Sequence, residues 1–281
     1  MLKRTDINIR DPFVLVHEGK YYLYGTRGPE CWGKGTGLDC YVSSDLENFE
    51  EPVEVFTPGK DFWADKNFWA PEVHKYCGAF YMFVSFKADG KCRGTQILKA
   101  EGPLGPFMPH SDGPVTPIDW ECLDGTLYIE ESDNSKPYMV FCHEWVQVVD
   151  GEICAVELSR DLKKAVGKPK LLFTASEAPW IKDIRNGNYV TDGPFIHRND
   201  RGRITMLWSS FCEGGYALAI AHSKSNTIDG PWVQDPELLF SKNGGHGMLF
   251  KDLSGKLTVT LHSPNIDLEE RPVFFHIDKD L

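Results

Sequence analysis

Three aspartates stand at the same kind of place in this sequence: Asp11 in "RDP", Asp124 in "LDG" and Asp192 in "TDGP". Each is followed at once by Pro or Gly and then by an apolar run. Carboxylates forced together repel, and burial raises the pKa of at least one of them. Such a set divides into an ionised base and a protonated acid near neutral pH. Glycoside hydrolysis needs that division, since one group protonates the leaving oxygen and another activates water. A single Asp before a strand is commonly a turn former, its side chain bonding nearby backbone N–H groups. Recurrence at equivalent positions is what separates the two readings.

The recurrence is fivefold. "DPFVLVHEGKYYLYG" begins at Asp11, "APEVHKYCGAFYMFVS" at Ala70, "DGTLYIEESDNSKPYMVF" at Asp124, "DGPFIHRNDRGRITMLWSS" at Asp192 and "HGMLFKDLSGKLTVTLHSP" at His246. Each is a polar start, an apolar strand, a turn and a second apolar strand, and the starts lie 59, 54, 68 and 54 residues apart. A further strand with a polar turn follows the first four, from Tyr41, Ile97, Ala155 and Ile220. Helical periodicity is scarce, and short β-rich runs alternate with Gly, Pro, Asn and Asp clusters. Four antiparallel strands per repeat, repeated radially, describe a β-propeller blade.

The predicted fold is therefore all-β: one domain over residues 1–281, a five-bladed β-propeller with four-stranded antiparallel blades around a central channel. The blades fall at about 10–60, 69–117, 122–175, 189–241 and 245–281, with an N-terminal strand added. A pair of β-sandwiches is the competing arrangement. "TDINI" (Thr5 to Ile9) and "PVFFHI" (Pro272 to Ile277) are expected to share the fifth blade and close the ring without long exposed edges. In such a ring the starts of the first strands converge, so Asp11, Ala70, Asp124, Asp192 and His246 should meet in one funnel. Trp69 should stand at its rim, and Trp32, Trp63, Trp145 and Trp180 lie in loops that could reach it as sugar-stacking surfaces. Trp208 and Trp232 read as core, Glu72 as structural, and His246 as either channel filling or a substrate contact.

Bulk properties narrow the partners. Across 281 residues the net charge is −11 and no Lys/Arg cluster stands out. Nucleic acid and anionic membranes are poor partners for such a chain. No run of ~18 apolar residues is present to make a membrane helix. The eight cysteines form no C-x-x-C pair, which favours reduced thiols. No signal-peptide apolar region precedes the first repeat, so the expected location is cytoplasmic.

Taken together, "IRDPFVLVHEGKYYLYG", "FWAPEVHKYCGAFYMF", "LDGTLYI", "TDGPFIHR" and "GGHGMLF" resemble glycoside hydrolase family 43, from about Asn8 to Ile277. The resemblance implies an inverting hydrolase of α-L-arabinofuranosides or β-D-xylosides in plant-polysaccharide-derived oligosaccharides. It implies Asp11 as general base, Asp124 as the residue that orients the acid and tunes its pKa, and Asp192 as general acid. Trp69, Ala70, Trp145, His246 and, more loosely, Arg271 are then expected at the sugar. The resemblance requires no cofactor, though His246 could help hold a structural calcium ion through waters. One departure stands out: the family's acid is usually Glu in "EGP", and here it is Asp. Loss of a methylene draws the carboxyl back by about 1.5 Å, and misplacement on that scale can cost ~100-fold in rate. Three outcomes stay open: a compensated pocket, another acid such as Glu144 or Glu213, or a sugar-binding propeller with weak activity. "WECLDG" from Trp120 echoes the retaining fructan-hydrolysing propellers but lacks their proline.

Overall fold

Every innermost strand carries the same defect, and that defect builds the site. In the computed structural model, which describes residues 1–182, 187–278 and 281, five antiparallel sheets surround one channel. Their innermost strands are Ile9–His17, Lys66–Tyr76, Cys122–Glu130, Asp192–Arg198 and Gly245–Lys251. In each, the register to the second strand slips near its start: between Arg10 and Phe13, Trp69 and Glu72, Leu123 and Thr126, Asp192 and Phe195, and Gly245 and Met248. Within each slip sits one residue in the left-handed region: Asp11 (φ 53°), Ala70 (48°), Asp124 (58°), Gly193 (52°) and His246 (50°). A bulge of this kind re-aims a side chain out of the strict alternation of the strand. For residues other than glycine it stores about 1–3 kcal/mol of strain, the more so before proline, which disfavours helical conformations at the preceding residue.

The strain is held by a ring of hydrogen bonds from blade to blade. The Ala70 N–H donates to Thr26 Oγ1 of the first blade (2.8 Å), and the Asp124 N–H to Ser85 Oγ of the second (2.9 Å). The His246 N–H donates to Ser209 Oγ of the fourth blade (2.7 Å), and the Asp11 N–H to His262 Nδ1 of the fifth (3.1 Å). These acceptors are equivalent, since each pairs with the residue just before its own blade's bulge. The third blade has Cys142 there. Its neighbour's N–H, on Gly193, goes instead to the Asp124 carboxylate (2.9 Å).

Blades two, three and four are four-stranded as expected, while the first sheet has six strands and the fifth has three. Ring closure therefore differs from the expectation. "PVFFHI" does enter the fifth blade, as Arg271–His276. "TDINI" does not: Thr5 and Asp6 lie in a short 3-10 turn, Ile9 opens the first blade, and the N-terminal strand Leu2–Lys3 pairs with Asn48–Phe49 of that same blade. Side chains close the seam. Arg271 Nε donates to the Thr5 carbonyl (2.8 Å), Arg4 Nη1 to the Pro272 carbonyl (3.2 Å), and Asn8 Nδ2 to the Glu270 carbonyl (3.0 Å). Packing between blades is dense and apolar. Trp208 and Trp232 are buried, as expected, at the junction of the third and fourth blades. Glu72 is buried too, accepting from Thr126 Oγ1 and lying 3.0 Å from His74 Nε2.

Candidate active site

The bulge residues Asp11, Asp124 and His246 face a funnel of about 360 Å³, lined also by Arg10, Trp32, Trp69, Glu144, Trp145, Asp192 and Tyr216 among others. The three aspartates predicted to converge do so. Their register is not uniform, however. Asp11, Asp124 and His246 occupy the bulge itself, whereas in the fourth blade Gly193 does. Asp192 stands one residue earlier, level with Arg10, Trp69, Leu123 and Gly245. Glycine is required at 193 by the close approach of a neighbour, since the other four bulges hold other residues at a similar φ. Its φ is +52°, and a Cβ there would lie 2.7 to 3.0 Å from the His246 ring.

His246 ties two of the acids together, its Nδ1 lying 3.2 Å from Asp11 Oδ1 and 3.7 Å from Asp124 Oδ2. Thr26 Oγ1 donates to Asp11 Oδ2 (2.6 Å) while accepting the Ala70 N–H. Burial pushes the Asp11 carboxyl up, but the neighbouring imidazoles of His246 and His262, Arg10 and the Thr26 hydrogen bond outweigh it and hold the group below the usual carboxylate range. Burial, then repulsion from Asp11, drives Asp124 well above that range, against the opposing Gly193 N–H. Burial and repulsion from Asp124 raise Asp192 to about 7, although His246 and the hydroxyl of Tyr216, which donates to Asp192 Oδ2 at 3.0 Å, pull it down. One funnel thus holds a carboxylate that stays ionised and another that keeps its proton near neutrality, the combination acid–base catalysis requires.

The walls are equally specified. The Trp69 indole N–H donates to the Cys31 carbonyl (2.5 Å), its edge meets Trp32 (5.4 Å between centroids), and the Arg93 guanidinium lies 4.2 Å from its ring centroid. Trp32 is 63% exposed at the rim, with the Arg10 guanidinium 5.4 Å from its ring. Trp145, in the short helix Trp145–Val148, also lines the funnel. Ala70 is buried behind the funnel and acts through its backbone N–H, so the sugar contact expected of it is not among the lining residues. Arg271 is likewise displaced from the expected role: its guanidinium is committed to the Thr5, Leu268 and Glu270 carbonyls at the seam. Arg10 is the arginine in the funnel, bonded to Glu270 Oε1 (2.5 Å) and Asn265 Oδ1 (2.8 Å). Trp63 bonds Gln96 and Trp180 packs on Trp208, both outside the lining.

The two alternative acids separate cleanly. Glu213 is exposed and paired with Lys182, away from the funnel. Glu144 does line the funnel, but the buried Arg93 guanidinium holds its carboxylate. For calcium, the atom of His246 nearest the acids is already engaged with them, and among the described residues no group of three or more His, Cys, Asp or Glu side chains is arranged to hold a metal ion. The expected ion, held by His246 through waters, does not depend on such a group of protein ligands.

Sequence reasoning missed Arg10, Thr26, Tyr216, His262 and Asn265. A signal existed for two of them. Thr26, Ser85, Ser209 and His262 recur as the polar residue near the end of four of the five second strands, in "GTR", "VSF", "WSS" and "LHS".

Comparison with known proteins agrees with this geometry. A curated relative, the extracellular exo-alpha-(1->5)-L-arabinofuranosidase ArbA of Cellvibrio japonicus, is 24% identical over 262 residues, covering 85% of this chain and 70% of the relative. A solved structure described as an endo-arabinase from Bacteroides thetaiotaomicron is 42% identical with a TM-score of 0.92, over 99% of this chain and 97% of the other. A thermostable family-43 glycoside hydrolase superposes with a TM-score of 0.84 at 25% identity, over 97% and 91% of the two chains. The model for "Glycosyl hydrolases family 43" matches residues 6–272, and the chain belongs to that family.

Proposed function

We propose that this propeller hydrolyses α-L-arabinofuranosidic linkages in arabinose-containing oligosaccharides, with inversion at the anomeric carbon. Asp11 takes a proton from the attacking water, and Asp192 gives one to the departing glycosidic oxygen. Asp124 fixes the residue after the acid through the Gly193 N–H, and its carboxyl adds to burial in raising the pKa of Asp192. The observation that carries this reading is the division within one funnel: Asp11 is held low by its charged and hydrogen-bonding neighbours, and Asp192 is raised to about 7. That division favours a working acid over a sugar-binding propeller, despite the shorter side chain at 192.

Arabinose is preferred over xylose because relatives named for arabinan cleavage include the one at 42% identity. The test is hydrolysis of arabino-oligosaccharides and of xylo-oligosaccharides by wild type and Asp11→Asn. Release of arabinose units by wild type alone is the expected result. Turnover confined to xylosides would overturn the substrate assignment, and binding without turnover on either would overturn the enzyme reading.

A further inference from the structure

Two aromatic rings link the acid to the base without taking part in the proton transfers proposed above. Tyr216 enters the funnel from the third strand of the fourth blade, Gly215–Ser223. His262 stands near the end of the second strand of the fifth blade, Leu257–Ser263. The two rings stack, 5.5 Å between centroids and 20° between planes. At one end of the stack the Tyr216 hydroxyl donates to Asp192 Oδ2 (3.0 Å); at the other, His262 Nδ1 accepts the Asp11 backbone N–H (3.1 Å).

The protonation state of His262 follows from its surroundings. It is completely buried. Burial, with Arg10 and His246 nearby, lowers its pKa to about 3 against the pull of Asp11, so the imidazole is neutral at working pH. A neutral ring that accepts at Nδ1 carries its proton on Nε2, which faces Asn265 Oδ1 at 3.3 Å. Asn265 Oδ1 is itself fixed by Arg10 (2.8 Å). The ring thus cannot turn without giving up a bond at each nitrogen.

We propose that Tyr216 and His262 act as one spacer that sets the distance between acid and base. Tyr216 positions Asp192, and His262 positions Asp11. Inversion requires a fixed gap, because a water and the sugar must fit between the two carboxyl groups. The spacer also answers the short side chain at 192. With Oδ2 anchored by the phenol, Oδ1 is left to face the leaving oxygen, in an orientation that a free Asp would hold only part of the time. Both are positioning residues, and the inference rests on the proposed acid and base assignment.

The test is Tyr216→Phe, which keeps the ring and the stack and removes only the hydroxyl. Rates are measured from acid to alkaline pH on an arabino-oligosaccharide, whose leaving group needs protonation, and on a nitrophenyl arabinofuranoside, which needs less. Asp192 becomes a carboxylate as it gives up its proton, and a hydrogen bond to a group gaining charge is worth enough to predict a roughly 10- to 100-fold fall on the oligosaccharide, with KM little changed and a smaller fall on the aryl substrate. The phenol favours ionised Asp192, so its removal moves the alkaline limb to higher pH. Asp124, Asp11 and His246 also face Asp192 and stay in place. His262→Asn provides the second arm. Because the rings act as a unit, the double variant is expected to lose little more than the worse single one. Equal loss on both substrates with an unmoved alkaline limb, or fully additive losses, would overturn the spacer. A wild type inactive on both substrates would overturn the proposed function itself, which the wild-type control reads separately.

Discussion

Removing the acid should make the protein more stable at neutral pH while destroying its activity. Asp192 titrates near 3.8 when unfolded and near 7 in the native funnel, where burial and Asp124 oppose its charge. Below about pH 4 both states hold the proton, and Asp192→Asn should match wild type in stability. Between those values unfolded wild type releases the proton while the native state retains it. The native state therefore loses stability at about 1.36 kcal/mol per pH unit from this group alone. Asparagine has no such linkage and still offers an oxygen to Tyr216. The difference grows toward a ceiling of about 4 kcal/mol at pH 7, and the opening of the funnel to solvent reduces it to roughly 2–4 kcal/mol. For a chain of this size that is a Tm rise of roughly 3–7 °C at pH 8. Urea unfolding of both proteins at intervals from pH 4 to pH 8 measures it. A gain that is absent, or that does not change with pH, would refute the claim that the native funnel holds Asp192 protonated.

Other substitutions separate chemistry from scaffold. Asp11→Asn should abolish turnover on every substrate, activated or not, because no leaving group replaces the base; partial activity on aryl glycosides would argue against that role. Arg271→Ala should leave KM unaltered and cost about 1–3 kcal/mol in urea unfolding, since three carbonyls at the seam lose their donor. A raised KM at unchanged stability would return Arg271 to the sugar. Ser85→Ala strands the buried Asp124 N–H and should cost about 1–3 kcal/mol, with a rate loss from the displaced bulge. Unchanged stability would show that the blade-to-blade ring does not hold the strain.

The repeats made the fold legible: five hairpins with polar starts dictated five blades, and their common direction brought Asp11, Asp124 and Asp192 together. The offset at 192 was also written there. "DPF", "APE" and "GPF" align on proline and put Gly193, not Asp192, at the bulge. Alignment on the carboxylate hides it, because the acid of the fourth repeat belongs to the residue before the bulge and not to the bulge itself. Tyr216 and Arg10 were not legible, since their partners lie on other strands or blades and no local pattern marks them. The seam misled for a related reason. The N-terminal run is too short to complete the fifth blade, and side-chain donors such as Arg271 do the closing that a strand was expected to do.

The most direct test of the acid and base assignment is the anomer first released by wild type, followed by proton NMR before mutarotation. Direct attack by water activated at Asp11, with Asp192 protonating the departing oxygen, predicts β-arabinose from an α-linked substrate. Initial release of α-arabinose would mean two displacements and a covalent intermediate, and would contradict the roles given to Asp11 and Asp192.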